Sequence, residues 1–196
     1  MKQFSESCEQ NKLPILEILR LYAGNASTLL EIGSGTGQHA VYFAQHFPHL
    51  HWQTSDLPES HPSIHAWITD SPVSNVAAPL LLDVNQSELP AGEYDMIYSA
   101  NTAHIMDWNS VIRMFNVVGQ KLKTGGVFCL YGPFNYKGSY TSDSNAHFDQ
   151  WLKMRDPDSG IRDFEALDLE AGKNGLKLIA DHEMPANNRT LVWQKK

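Results

Sequence analysis

Glu31 stands two residues ahead of Gly33, and Gly33, Gly35 and Gly37 recur at alternate positions behind it. A glycine loop of this kind permits left-handed backbone and lets a ligand approach bare amides. The carboxylate decides which ligands suit the loop. Beside a pyrophosphate it would repel. Beside a cationic or amine-bearing group it attracts, by roughly a few tenths to a few kcal/mol depending on burial. The spacing agrees: a dinucleotide loop reads G-x-G-x-x-G, and here the third glycine arrives one residue early.

More groups capable of chemistry follow. Asp56 lies 25 residues beyond Glu31, where a carboxylate at the end of a second strand accepts from both hydroxyls of a ribose. A turn or helix-cap role before Pro58 is the alternative. Asp83 can accept from an exocyclic amine while Val84 packs on the ring, or it is a loop carboxylate at the surface. His104 is the candidate general base, with a structural hydrogen-bonding role equally open. Trp108 is a floor for an apolar substrate or the first core residue of its helix. Tyr131, Phe134, Asn135 and Tyr136 are candidates for shaping an acceptor pocket. His61 and His65 are four apart, but no HExxH acid accompanies them and Pro62 interrupts, so no metal is expected.

These residues need a scaffold, and the chain supplies an alternating one. Leu29, Leu30 and Ile32 suit a strand buried on both faces. Ala40, Val41, Ala44 and Phe47 are helically spaced behind the glycine loop. Residues 11–21 read as an opening helix, with Asn11 as cap and Pro14 in its first turn. Strands are expected at 51–55, 78–82, 94–99 and 127–131, and a helix within 59–70. Trp108, Val111, Ile112, Phe115, Val118 and Leu122 mark a long amphipathic helix, stopped by Lys123-Thr124-Gly125-Gly126. Helices at 146–155 and 164–174 precede strands at 176–181 and 190–194. The connection between those two strands is too short for a crossover helix, so they must be antiparallel neighbours. The reading is one α/β domain over 1–196: a doubly wound, mostly parallel, seven-stranded sheet closed by a C-terminal antiparallel hairpin.

The chain has 196 residues, 42% of them hydrophobic and 19% charged, ordinary values for a soluble globular domain. Its net charge of -7 argues against nucleic-acid backbones as partners. No apolar run approaches the roughly 18 residues of a membrane helix. Two cysteines give no disulfide framework, and residues 1–10 lack the pattern of a signal peptide, so a cytoplasmic location is expected. A small molecule is the expected substrate; oligomeric state is not legible.

The E-x-G-x-G-x-G loop resembles the cofactor loop of class I methyltransferases that use S-adenosylmethionine (SAM). Nearly the whole chain is similar to one family within them, domain of unknown function 938. The match runs through Asn11-Lys12-x-Pro14-Ile15-Leu16, Leu30 to His39, Ala100-Asn101-x-x-His104-Ile105 and Trp108. It continues through Gly132-Pro133-Phe134, Asn145-x-x-Phe148-Asp149-x-Trp151-Leu152, Arg155-Asp156-Pro157, Gly160-Ile161-Arg162-Asp163 and Met184-Pro185-Ala186-Asn187-Asn188. The resemblance implies a Rossmann-like fold and SAM as cofactor. It places Glu31, Gly33, Ser34, Gly35, Gly37, Asp56, Leu57, Asp83, Val84 and Asn101 in the cofactor site, with Asn101 at the methionine end. Asn188 joins the candidate substrate residues. A non-catalytic SAM-binding protein and, less favoured, an NAD-dependent oxidoreductase are the alternative readings.

Overall fold

A computed structural model describes residues 1–86 and 89–196. Helix α1 (Glu6–Tyr22) leads to β1 (Thr28–Ile32), α2 (Gln38–His46), β2 (His51–Asp56), α3 (His61–Thr69) and β3 (Val76–Leu81). Then come β4 (Tyr94–Ala100), α4 (Trp108–Lys121), β5 (Leu122–Gly132), β6 (Phe134–Asn135) and α5 (Asp143–Arg155). The chain ends with β7 (Arg162–Asp163), α6 (Phe164–Lys173), β8 (Leu176–Met184) and β9 (Asn188–Lys195).

Seven strands form one sheet in the order β3-β2-β1-β4-β5-β9-β8. The first five are parallel, and β9 runs antiparallel to both β5 and β8. Continuous apolar runs fit this arrangement because alternate side chains feed two cores. Leu30, Ile97, Phe128 and Trp193 pack under α4 and α6, whereas Leu29, Tyr98, Cys129 and Val192 pack under α1 and α2. The strand order reverses between β1 and β4, where an open α/β sheet leaves a crevice at its carboxyl edge.

Several boundaries differ from the sequence expectation. Helix α1 begins at Glu6, because the Ser5 hydroxyl caps it by accepting from the Cys8 amide at 3.3 Å. Asn11 is therefore not a cap but a buried residue inside the helix, and Pro14 lies in the interior rather than in the first turn. Strand β3 starts two residues early and carries Pro79, tolerated because β3 is an edge strand. Lys123 to Gly126 does not separate α4 from β5. Tyr94 pairs with Leu122 but Met96 with Val127, so those residues bulge out within the strand. The hairpin strands extend to Met184 and Asn188 around a single turn, Pro185–Asn187, in which Ala186 and Asn187 have φ of 57° and 56°. The parallel pairing of β6 with β7 has no counterpart in the sequence pattern.

Candidate functional site

The turn after β1 opens a cavity of about 600 Å³ at the carboxyl ends of the parallel strands. Gly33, Ser34 and Gly35 line it; Gly37 does not. At Gly35, with φ of 56°, an added Cβ would meet nothing within 4 Å, so its backbone is bare toward the opening. At Gly37, with φ of 93°, the same atom would lie 2.9 Å from the Ile64 Cα. Gly37 thus admits α3 against the start of α2, a packing role behind the cavity wall.

Three carboxylates ring this cavity, one from the end of each of the first three strands. Glu31 in β1 is 2% exposed. One of its oxygens, Oε2, accepts from the Ser34 hydroxyl at 2.9 Å and from the Trp52 indole N–H at 3.0 Å. Among the described residues no cation pairs with it, and burial pushes its pKa up to about 7. Asp56 closes β2, and its carboxylate accepts from the Gly35 amide at 2.6 Å and the Leu57 amide at 2.7 Å. Those bonds lock its orientation and leave further lone pairs for a ligand. Asp83 follows β3 and accepts from the Asn85 amide at 2.9 Å, with Val84 buried beside it. Leu57, Asp83 and Val84 all line the cavity.

The wall opposite is the loop after β4. Asn101 holds a left-handed φ of 58°, and its amide donates to the Tyr131 carbonyl at 2.9 Å. A non-glycine residue held there marks a position determined by its surroundings. His104 is buried, with its ring edge-on to Phe148 at 5.3 Å. Burial, aided by the Arg162 charge, pulls its pKa down to about 4, so the imidazole is neutral at physiological pH. Arg162 fastens this loop, donating to the carbonyls of Ala103, at 3.1 Å, and Met106, while the Gly160 amide donates to the His104 carbonyl at 2.9 Å.

A second cavity of about 450 Å³ adjoins the first, meeting it at Ser7, Asn101 and Phe148. Tyr131 and Asn188 line it. The other substrate candidates are placed elsewhere. Phe134, 1% exposed, belongs to the core beneath α4 and α6, and Trp108 packs on that same core. Asn135 pairs with Asp163 across β6 and β7. The Tyr136 hydroxyl donates to Asp181 at 2.8 Å while its ring stacks on Phe164. Pro133 still lines the second cavity, but the β6–β7 pairing holds Phe134 and Asn135 out of both linings.

Sequence reasoning leaves out Ser7, Cys8, Gln10 and Asn11 of α1, and Asn145 and Phe148 of α5, all of which face these cavities. One signal was available. Asn11 sits on the same helical stripe as Ile15 and Leu19, where an amide is out of place unless it has a buried task. Among the described residues no three His, Cys, Asp or Glu side chains gather as a metal would require. No helix among them is long and apolar enough to cross a membrane.

A sheet of this order, with a carboxylate-ringed crevice at its switch point and an antiparallel closing hairpin, is the class I methyltransferase fold. It is shared with an O-methyltransferase family 2 protein from Planctomyces limnophilus, solved with apigenin, at a TM-score of 0.85 and 15% identity. An O-methyltransferase family protein from Burkholderia thailandensis matches with a TM-score of 0.83 at 14% identity. Human N-acetylserotonin methyltransferase, solved in complex with SAM, matches with 0.80 at 16%. These comparisons cover 97%, 94% and 97% of this chain but 58%, 56% and 53% of the others, so the chain spans little more than half their length. The chain itself belongs to the family described as "Protein of unknown function (DUF938)", whose model matches residues 2–195.

Proposed function

We propose that the protein is a SAM-dependent methyltransferase acting on a small molecule in the cytoplasm. The observation that carries this reading is the row Glu31, Asp56 and Asp83, set at the ends of three adjacent parallel strands around one cavity that begins at the bare Gly35 backbone. A dinucleotide's pyrophosphate would meet a carboxylate at Glu31. A sulfonium or α-amino group would meet an oppositely charged partner.

The donor set fits SAM group by group. Glu31, desolvated and without a protein cation among the described residues, would hold the cationic methionine end beside Asn101. Asp56, pre-oriented by two backbone amides, would accept from the ribose hydroxyls. Asp83 would accept from the adenine amine, with Val84 and Leu57 against the ring. When bound, SAM supplies a methyl group whose bond to sulfur breaks, the electron pair staying on sulfur as the acceptor's lone pair takes the carbon. The protein's part is alignment and exclusion of water. His104, neutral with its pKa near 4, has a lone pair available but little basicity. It suits late removal of a proton already acidified by the new bond.

Calorimetric titration with SAM, S-adenosylhomocysteine (SAH) and NAD tests the reading. Binding of the first two without NAD is expected. NAD preference would replace it with a nicotinamide-dependent oxidoreductase, and tight SAM binding with no methyl transfer to any member of a metabolite extract would replace it with a non-catalytic SAM binder.

A further inference from the structure

The second cavity has a composition unlike the first. None of its described lining residues carries a charge. What it offers is amides, the Ser7 and Ser144 hydroxyls and one phenol between flat apolar walls, Pro14, Pro133, Pro185 and the Phe148 ring.

The hydrogen-bond partners show which ends of those groups face inward. The buried His39 is neutral, its pKa pulled down to about 4 by burial. Its Nε2 lies 2.8 Å from Asn11 Oδ1 and its Nδ1 3.3 Å from the Tyr98 hydroxyl. With Tyr98 donating to Nδ1, Nε2–H donates to Asn11. The Asn11 amide nitrogen is thereby left as a donor at the cavity, which the Tyr131 phenol also lines. The Tyr131 hydroxyl can likewise donate into the cavity. Asn145 commits its amide nitrogen to Thr141 Oγ1 at 3.0 Å and the Asn187 carbonyl at 3.1 Å, leaving Oδ1 as an acceptor. Asn188 commits its own to the carbonyls of Pro185 and Ala186, at 3.3 and 3.4 Å, and likewise offers Oδ1.

The Asn11 and Tyr131 donors and the Asn145 and Asn188 acceptors, set between flat walls, are complementary to a flat ligand with a carbonyl beside N–H or O–H groups. We propose that this cavity binds the methyl acceptor, and that the acceptor is an uncharged planar ring of the cyclic-amide class rather than a carboxylate, a phosphate or an amine. The assignment rests on the SAM-site reading above, since the two cavities meet at Asn101. Burying a charge against neutral amides without a counter-charge is unfavourable, so the cavity discriminates by charge before shape.

The test uses SAH-saturated protein and three matched probes followed by calorimetry and saturation-transfer NMR: 2-quinolone, quinoline-2-carboxylate and 2-(aminomethyl)quinoline. The neutral probe is expected to bind about tenfold or more tightly than either charged one. Tyr131→Phe, which keeps the ring, should weaken 2-quinolone about tenfold and leave SAH affinity unchanged. Asn188→Asp should shift preference toward the aminomethyl probe. Equal or tighter binding of a charged probe by the wild type, an unchanged 2-quinolone affinity in Tyr131→Phe, or no probe binding while SAH binds normally would each overturn the proposal. Failure of SAH itself to bind would bring down the SAM-site reading and this one together.

Discussion

Glu31, Asp56 and Asp83 wall one cavity, and the amides of Asn11, Asn145 and Asn188 wall its neighbour, although both open on Asn101. The two regions also differ in how their polar groups are satisfied. Around the second cavity, each of these amides has a protein partner for one end and offers the other. Around the first, Glu31 is almost fully buried and, among the described residues, has no cation to balance it. A fold tolerates an uncompensated buried carboxylate at a cost, and the cost is justified where a ligand brings the missing charge. Asymmetry of this kind separates a site awaiting a cation from a site awaiting a neutral molecule, and each half can be attacked independently.

The largest effect should come from filling the bare backbone at Gly35. Gly35→Asn tolerates the φ of 56° better than other substitutions and places its side chain in open space. SAM affinity should drop about 100-fold with little change in melting temperature. Gly35→Val should abolish SAM binding at some extra strain. Unaltered SAM affinity in both variants would move the cofactor out of this corner.

Replacing Glu31 by Gln should pull stability and binding in opposite directions. The carboxyl's folded pKa, about 7, stands above the ordinary 4.5, so the folded state holds a proton that the unfolded chain releases. Its contribution is therefore full below pH 4.5 and is lost as pH rises through 7. The loss is on the order of 3 kcal/mol, because each pH unit separating the two values is worth about 1.36 kcal/mol. A glutamine side chain can still accept from Ser34 and Trp52, so Glu31→Gln should raise the melting temperature of the ligand-free protein at pH 8. SAM affinity in the wild type should climb between pH 6 and 8 as Glu31 ionises. The variant should bind about tenfold more weakly at pH 8 and show no such climb. A variant that binds SAM as the wild type does would reduce Glu31 to a structural acid.

His104→Gln tests the junction between the regions. The folded pKa of His104, near 4, lies below the ordinary 6.5, so the wild-type histidine stabilises the fold above pH 6.5 and loses that contribution as pH falls toward 4. The variant should lose part of this acid sensitivity. His39, equally depressed, retains the remainder. Turnover should fall about tenfold with unchanged SAM affinity, a modest effect because so weak a base contributes little. An undiminished rate would leave His104 with only its packing against Phe148.

The charged cavity was legible in the sequence and the neutral one was not, and the difference is one of distance along the chain. Glu31, the glycines, Asp56 and Asp83 each sit at or just past the end of a strand, a local and readable position, and the βα alternation orders those strands. The short link between β8 and β9 likewise dictated an antiparallel hairpin. By contrast, Asn11, Tyr131, Asn145 and Asn188 come from α1, β5, α5 and the start of β9, and only the finished fold brings them together. The start of α1 leaves no such signal, because its cap, Ser5, precedes a first turn with no apolar periodicity. The excursion of Phe134 to Tyr136 is equally silent, because two-residue strands leave no pattern to read.

The smallest effect bears on Trp108, whose sequence context favours a core residue over a substrate floor. At the start of α4 it packs on the cluster containing Phe134 and is absent from both cavity linings. Trp108→Phe keeps an aromatic ring there and removes only part of the buried surface, so unfolding free energy should fall by about 1 kcal/mol. SAH and 2-quinolone affinities should stay within about twofold of the wild type, because the Trp108 side chain lines neither cavity. Denaturant melts and the two titrations check it together. A selective loss of 2-quinolone binding without a loss of stability would return Trp108 to the acceptor cavity and make that cavity more apolar than its amides suggest.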